Sequence, residues 1–269
     1  MPARLHREII GSGDHRMLLT HGIYGAGSNW RGIARKVVQA RPAWSIVLVD
    51  LRNHGRSDGG DPPHTVAACA EDVRALCSEL GGIEVLAGHS FGGKVVLAAR
   101  ALVPDLAQTW MLDSSPSPRP ELAGDPTSAL AVLELLERLP KQWPSRDEFI
   151  QAVVAAGHSL PLAQWLGMNV AADGDAYVLR LDLGAVREMM EDYCARDLWS
   201  VALDPALPGT LEVVIAEKST TVSAEDRQRL AIAPPHVHVH RIDAGHWLHI
   251  EAPANVVELF DSALPTALR

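Results

Sequence analysis

The chain has 269 residues, 47% of them hydrophobic and 21% charged, which excludes a disordered or fibrous protein and allows either one large domain or two small ones. A formal net charge of -9 sets its surface against nucleic acid and anionic lipid, both of which would repel it on average. No window approaches the roughly 20 apolar residues a bilayer span needs, so small-molecule or protein partners and no membrane anchor are expected.

The predicted elements begin with "LHREII" as an edge strand, "HRMLLTHG" as a strand ending in a glycine loop, and "WRGIARKVVQA" as an amphipathic helix. "WSIVLVD" is apolar without alternation, the pattern of a strand covered on both faces. "TVAACAEDVRALCSELGG" follows as a helix, with Thr65 as its N-cap and Gly81 near its end. Then come strand "IEVLAG", helix "GGKVVLAARAL" and strand "AQTWMLD". Strands alternating with helices imply right-handed crossovers and a mostly parallel sheet.

From about Ser117 to Leu203 that rhythm stops. Proline-rich stretches ("SSPSPRPELAGDP", "LPKQWPS") separate helical patterns such as "SALAVLELLERL", "RDEFIQAVVAAG" and "AVREMMEDYCARDLW". Afterwards the alternation resumes with strand "LEVVIA", helix "SAEDRQRLA", strand "HVHVHRI" and helix "ANVVELFDSAL". The expected organisation is therefore one α/β core, residues 1–116 and 204–269, interrupted by a helical cap over 117–203.

Chemistry concentrates at "GHSFG", residues 88–92, which matches G-x-S-x-G between a predicted strand and a predicted helix. Glycines permit the sharp, strained turn that lifts a serine hydroxyl above a sheet, and the helix start beyond it favours developing negative charge. Ser90 is the expected nucleophile. It needs a base, and His246 in "DAGHWLH", between the last strand and the last helix, is the expected one. Backbone amides of Ile23, in the glycine-lined "THGIYGAGSNW", and of Phe91, after the serine, are the expected oxyanion donors.

His236, His238 and His240 alternate with valines and share one strand face; without a cysteine or carboxylate cluster they are read as surface or packing groups, and no metal or cofactor is expected. His21, His89 and His249 are expected to be hydrogen-bonding supports near the site. Trp30, Trp143, Trp165, Trp199 and Trp247 are candidates to line an apolar acyl pocket, some of them belonging instead to the core. Cys69 and Cys77, eight apart on a predicted helix, are read as small core residues; with Cys194 they make a sparse, odd set that fits a reduced cytoplasm.

Through "HGIYGAGSNW", "DLRNHGRSD", "GHSFGGK" and "GHWLHIEAP", spread over the whole chain outside the cap, the sequence resembles the α/β-hydrolase superfamily. The resemblance implies an eight-stranded, mostly parallel sheet flanked by helices. It also sets aside the haloalkane dehalogenases and epoxide hydrolases of that fold, which attack with aspartate. With "LDSSP" added, the chain is similar to small bacterial esterases and their mitochondrial relatives, which act on acyl esters and thioesters. Superfamily members usually carry the catalytic acid in the loop after the strand that here reads "LEVVIA", where this chain has Ser219. The esterase branch takes its acid from the end of the strand after the nucleophile helix, here Asp113; Glu217 and Asp243 remain as alternatives. The activity so implied is hydrolysis of small acyl esters or thioesters through an acyl-enzyme. Carbon-carbon bond hydrolysis, cofactor-free perhydrolysis and a non-catalytic ligand receptor are the alternatives.

Overall fold

A computed structural model describes residues 1–120 and 128–266. The elements before the midpoint are β1 (Arg7–Ile10), β2 (His15–Thr20), a 3-10 turn (Gly27–Trp30), α1 (Arg31–Ala40), β3 (Trp44–Val49), α2 (Val66–Leu80), β4 (Ile83–His89), α3 (Phe91–Arg100) and β5 (Gln108–Leu112). Between β5 and the next strand of the main sheet lie α4 (Ala129–Arg138), β6 (Gln142–Trp143), α5 (Arg146–Ala155), α6 (Leu160–Gly167), β7 (Val170–Asp173), β8 (Ala176–Leu179), α7 (Leu183–Ala195) and α8 (Trp199–Ala202). The chain closes with β9 (Thr210–Ala216), α9 (Ala224–Ala231), β10 (Val237–Ile242), α10 (Leu248–Glu251) and α11 (Pro253–Ala263).

Among the described residues the main sheet has seven strands in the order β1-β3-β2-β4-β5-β9-β10, one fewer than the eight expected. Of the strands in this sheet among the described residues, only β1 runs antiparallel, paired to β3 from Arg7 opposite Val49 to Ile10 opposite Ile46. Every other neighbouring pair is parallel. Period-two alternation distributes each strand between two apolar layers. Met17, Leu19, Ile46, Leu48, Val85 and Ala87 join Ile33 and Val37 of α1 and Val256 and Phe260 of α11 on one face. Leu18, Val47, Val49 and Leu86 join Val73 and Leu76 of α2 and Val95 and Val96 of α3 on the other. All six residues of β3 are buried, which is why it shows no polar alternation.

Helix starts follow local capping chemistry. Thr65 Oγ1 accepts the Ala68 amide at 3.1 Å to begin α2, and Gly81 leaves it at φ 63. Ser128, Ser145, Ser159 and Asp182 cap α4, α5, α6 and α7 in the same way. Between β5 and β9 the chain is not purely helical as expected: β6, β8 and β7 form a second, antiparallel sheet. Its β7–β8 hairpin turns at Gly174, whose φ of 61 suits a residue without Cβ. Residues 121–127, inside the proline-rich start of this excursion, lie outside the described residues. Among the described residues no helix is long and apolar enough to cross a membrane.

Candidate active site

Ser90 sits between β4 and α3 at φ 54 and ψ -119, a conformation costly for any side chain and held only by its surroundings. The glycines explain how. A Cβ on Gly88 would lie 2.2 Å from Gly92 O, and one on Gly92 would lie 2.4 Å from His21 O. Both encounters are with backbone, so no side chain fits. The Ser90 amide donates to Leu112 O at 3.0 Å and Ser114 Oγ donates to Ser90 O at 2.7 Å, tying the turn to the end of β5.

His246, between β10 and α10, presents Nε2 at 3.0 Å from Ser90 Oγ. Its Nδ1 lies 2.6 Å from Asp113 Oδ2. Asp113, at the end of β5 with φ 44, is fully buried; its Oδ1 accepts the Ala216 amide at 3.1 Å and its own amide donates to Val214 O at 2.8 Å. Three side chains from three segments distant in the sequence thus converge in a chain of hydrogen bonds able to move a proton from the hydroxyl to the imidazole. The two alternative carboxylates are engaged elsewhere: Glu217 pairs with Arg241 at 2.8 Å and Arg227 at 3.3 Å, and Asp243 pairs with Lys218 at 3.0 Å.

A hydroxyl pair stands where the superfamily's aspartate was expected. Ser219 Oγ donates to Thr221 Oγ1 at 3.1 Å, and Thr221 Oγ1 lies 3.0 Å from His246 Nδ1. Thr221 can therefore share the Nδ1 proton with Asp113. Sequence reading had no signal for it beyond its place two residues past Ser219.

The loop after β2 packs against the nucleophile turn: a Cβ on Gly22 would lie 3.2 Å from the Cβ of Ser90. Among the described residues, the amides of Ile23 and Phe91 donate to no protein acceptor. Both residues line a cavity of about 430 Å³ that also takes in Ser90 and His246. Of the five tryptophans considered, Trp30, Trp165 and Trp247 line it. Trp143 packs edge-on against Phe149, and the Trp199 indole donates to Ser117 Oγ at 2.7 Å. Tyr24, Val132, Leu162, Met190 and Tyr193 complete much of its apolar wall, and the last four come from the excursion between β5 and β9.

The remaining histidines divide by environment. His21 gives its Nδ1 proton to Gly22 O at 2.7 Å and accepts the Leu51 amide on Nε2 at 3.0 Å; burial lowers its pKa to about 4. His54 gives its Nδ1 proton to Arg52 O at 2.8 Å and accepts the Tyr24 amide on Nε2 at 3.2 Å; burial, with His21 nearby, lowers its pKa to about 3. Burial also keeps His89 neutral, well below its ordinary value, while its Nε2 donates to the carbonyl of His246 at 2.7 Å. His249 stacks against Trp30, and burial lowers it to about 4. His238 and His240 both bind Glu212, at 2.9 and 2.7 Å. Cys69 and Cys77 are buried, which raises both thiols, Cys77 to about 12.

A model of the alpha/beta hydrolase family matches residues 17–259. The sn-1-specific diacylglycerol lipase ABHD11 of Danio rerio is 27% identical over 270 residues, covering 95% of this chain and 81% of that protein. Among solved structures, a marine microorganism esterase superposes with a TM-score of 0.80 at 22% identity, covering 94% of this chain and 97% of that one. E-2-(acetamidomethylene)succinate hydrolase superposes with a TM-score of 0.79 at 18% identity, covering 96% and 94%. These two likenesses speak for the fold, and the family match covers the serine turn, the histidine loop and all of the main sheet after its first strand, but for the first two residues of β2. The chain belongs to the alpha/beta hydrolase family.

Proposed function

We propose that the protein hydrolyses carboxylic ester or thioester bonds of small acyl substrates through an acyl-enzyme on Ser90. The observation that carries this reading is the run of hydrogen bonds from Ser90 Oγ through His246 to buried Asp113, opening on a cavity flanked by two unpartnered amides. Ser90 Oγ attacks the acyl carbonyl as His246 Nε2 takes its proton, and Asp113 holds the Nδ1 proton and stabilises the imidazolium. The tetrahedral oxyanion is held by the Ile23 and Phe91 amides. His246 then protonates the leaving alcohol or thiol. Water, deprotonated by the same nitrogen, releases the acid.

The apolar wall suits the acyl group, and residues 117–203 act as the lid that shapes it. A volume of about 430 Å³ falls within the range of small-molecule sites. The diacylglycerol lipase among its relatives also cleaves a carboxylic ester, as its name states. The test is a panel of p-nitrophenyl esters and acyl-CoA thioesters with intact mass after fluorophosphonate treatment. Turnover, EDTA-insensitive, with one adduct on Ser90 and a fall of at least about 10³-fold in Ser90→Ala, is expected. Turnover retained in Ser90→Ala, or none in the wild type with Ser90 unlabelled, refutes the reading.

A further inference from the structure

The oxyanion loop is held by the core and the excursion together. Tyr24, next to Ile23, is held at φ 63, a left-handed conformation that a non-glycine residue keeps only under external restraint. Three elements supply it. The Tyr24 amide donates to His54 Nε2 at 3.2 Å, on the loop after β3. The Tyr24 carbonyl accepts from Asn169 Nδ2 at 2.8 Å, from the turn between α6 and β7. The Tyr24 hydroxyl donates to Ala129 O at 2.7 Å, at the start of α4. Two of the three holds therefore come from the excursion, 145 and 105 residues along the chain.

Asn169 is itself fixed. Its side chain is nearly buried, its amide donates to Leu166 O at 3.0 Å, and its carbonyl accepts from the Arg180 amide at 2.8 Å. Nδ2 faces two carbonyls, Tyr24 O and, at 3.4 Å, Leu166 O, so the NH2 end of the amide must point at the loop. The peptide of Tyr24 follows directly on Ile23. A change of backbone at Tyr24 shifts the adjoining Ile23 amide away from the position of the oxyanion oxygen.

We propose that Asn169 is a positioning residue: it locks the left-handed Tyr24, aims the Ile23 amide at the oxyanion, and makes seating of the excursion on the core a condition of turnover. This rests on the serine hydrolase reading above. It adds a coupling between the segment that forms the acyl wall and the machinery that stabilises charge. A substrate that seats the α4 to β7 region well raises the rate as well as the affinity.

The test is steady-state hydrolysis of p-nitrophenyl butyrate by the full-length wild type, Asn169→Ala, Tyr24→Phe and Arg146→Ala. Losing an oxyanion donor outright costs about 10²- to 10³-fold, so a misaimed donor in Asn169→Ala should lower kcat about 10- to 100-fold with KM within about threefold. Affinity for a trifluoromethyl ketone transition-state analogue should fall by the same factor as kcat/KM, while the pH profile of kcat/KM keeps its wild-type shape because His246 and Asp113 are untouched. Arg146→Ala is the structural control: Arg146 holds Val170 O at 2.9 and 3.1 Å, one residue from Asn169, and touches nothing of the loop. It should lower Tm but leave kcat within twofold.

A wild-type kcat in Asn169→Ala, a loss confined to KM, or an equal loss in Arg146→Ala overturns the proposal. If Asn169→Ala does not fold, Tyr24→Phe decides: it cuts only the hold on Ala129 and should lower kcat by about 3- to 10-fold at unchanged KM, whereas an unchanged kcat refutes the coupling. A wild type with no hydrolysis overturns both readings. An active wild type, an inert Ser90→Ala and a fully active Asn169→Ala overturn this one alone.

Discussion

Acidification should destabilise this protein strongly between pH 6.5 and 4. His21, His54 and His249 stay neutral when folded because burial drives their pKa values to about 4, 3 and 4, against an ordinary 6.5. The unfolded chain therefore binds more protons in this window, so the stability these rings contribute is complete above pH 6.5 and drains away as pH falls towards 4. At pH 5 each ring favours the unfolded state by about 2 kcal/mol, or about 6 kcal/mol for the three, and His89 adds to it in the same direction. That approaches the whole stability of a typical domain, about 5–15 kcal/mol. Urea unfolding followed by tryptophan fluorescence at pH 7, 6 and 5 measures the loss. His54→Gln, which keeps an acceptor for the Tyr24 amide, should shrink it by about 2 kcal/mol. A change below about 2 kcal/mol between pH 7 and 5 would refute the reasoning, since the rings would then be binding protons inside the fold.

Two further outcomes follow from single contacts. Asp113→Asn can still accept the Ala216 amide but turns an NH2 towards His246 Nδ1, fixing the wrong tautomer; kcat should fall about 10⁴-fold with the urea midpoint near wild type, and a loss under tenfold would exclude Asp113 as the acid. Lys94→Met strands three carbonyls, those of Ser117, Tyr193 and Arg196, now held by one buried ammonium at 2.7, 3.0 and 3.0 Å. Unfolding free energy should drop by about 3–5 kcal/mol, and a loss under 1 kcal/mol would show those carbonyls finding other partners.

What could be read from the sequence was whatever carries a local signature. The unbroken apolar run of β3, the threonine cap of α2 and the strand-serine-helix order at Ser90 each follow from the chain's immediate neighbourhood, and each has the expected form. Ser90 follows from the G-x-S-x-G motif, His246 from its place after the last strand and Asp113 from the esterase resemblance, and their side chains meet. The second sheet was missed because β6 has two residues and β7 and β8 four each, too short for a period, although the Asp173-Gly174 step was a usable hairpin signal. Among the described residues the antiparallel edge of the main sheet is β1, and no eighth strand joins it. Thr221 and Asn169 were invisible for another reason. A lone polar residue acquires its meaning from a partner 25 or 145 positions away, and no local pattern records that. The neutral histidines are the same case, since burial rather than residue type sets their charge.

Lys94 lies one turn into the helix that Ser90 opens, and the carbonyls it collects belong to the outgoing limb of the excursion at Ser117 and the returning limb at Tyr193 and Arg196. Lys94 ties the two limbs together beside Ser90, and the Arg119 amide on Cys194 O and the Leu198 amide on Pro116 O join them further. Swinging the whole excursion open like a door would pull the buried ammonium away from those carbonyls, so the roots of the excursion resist any such hinge motion.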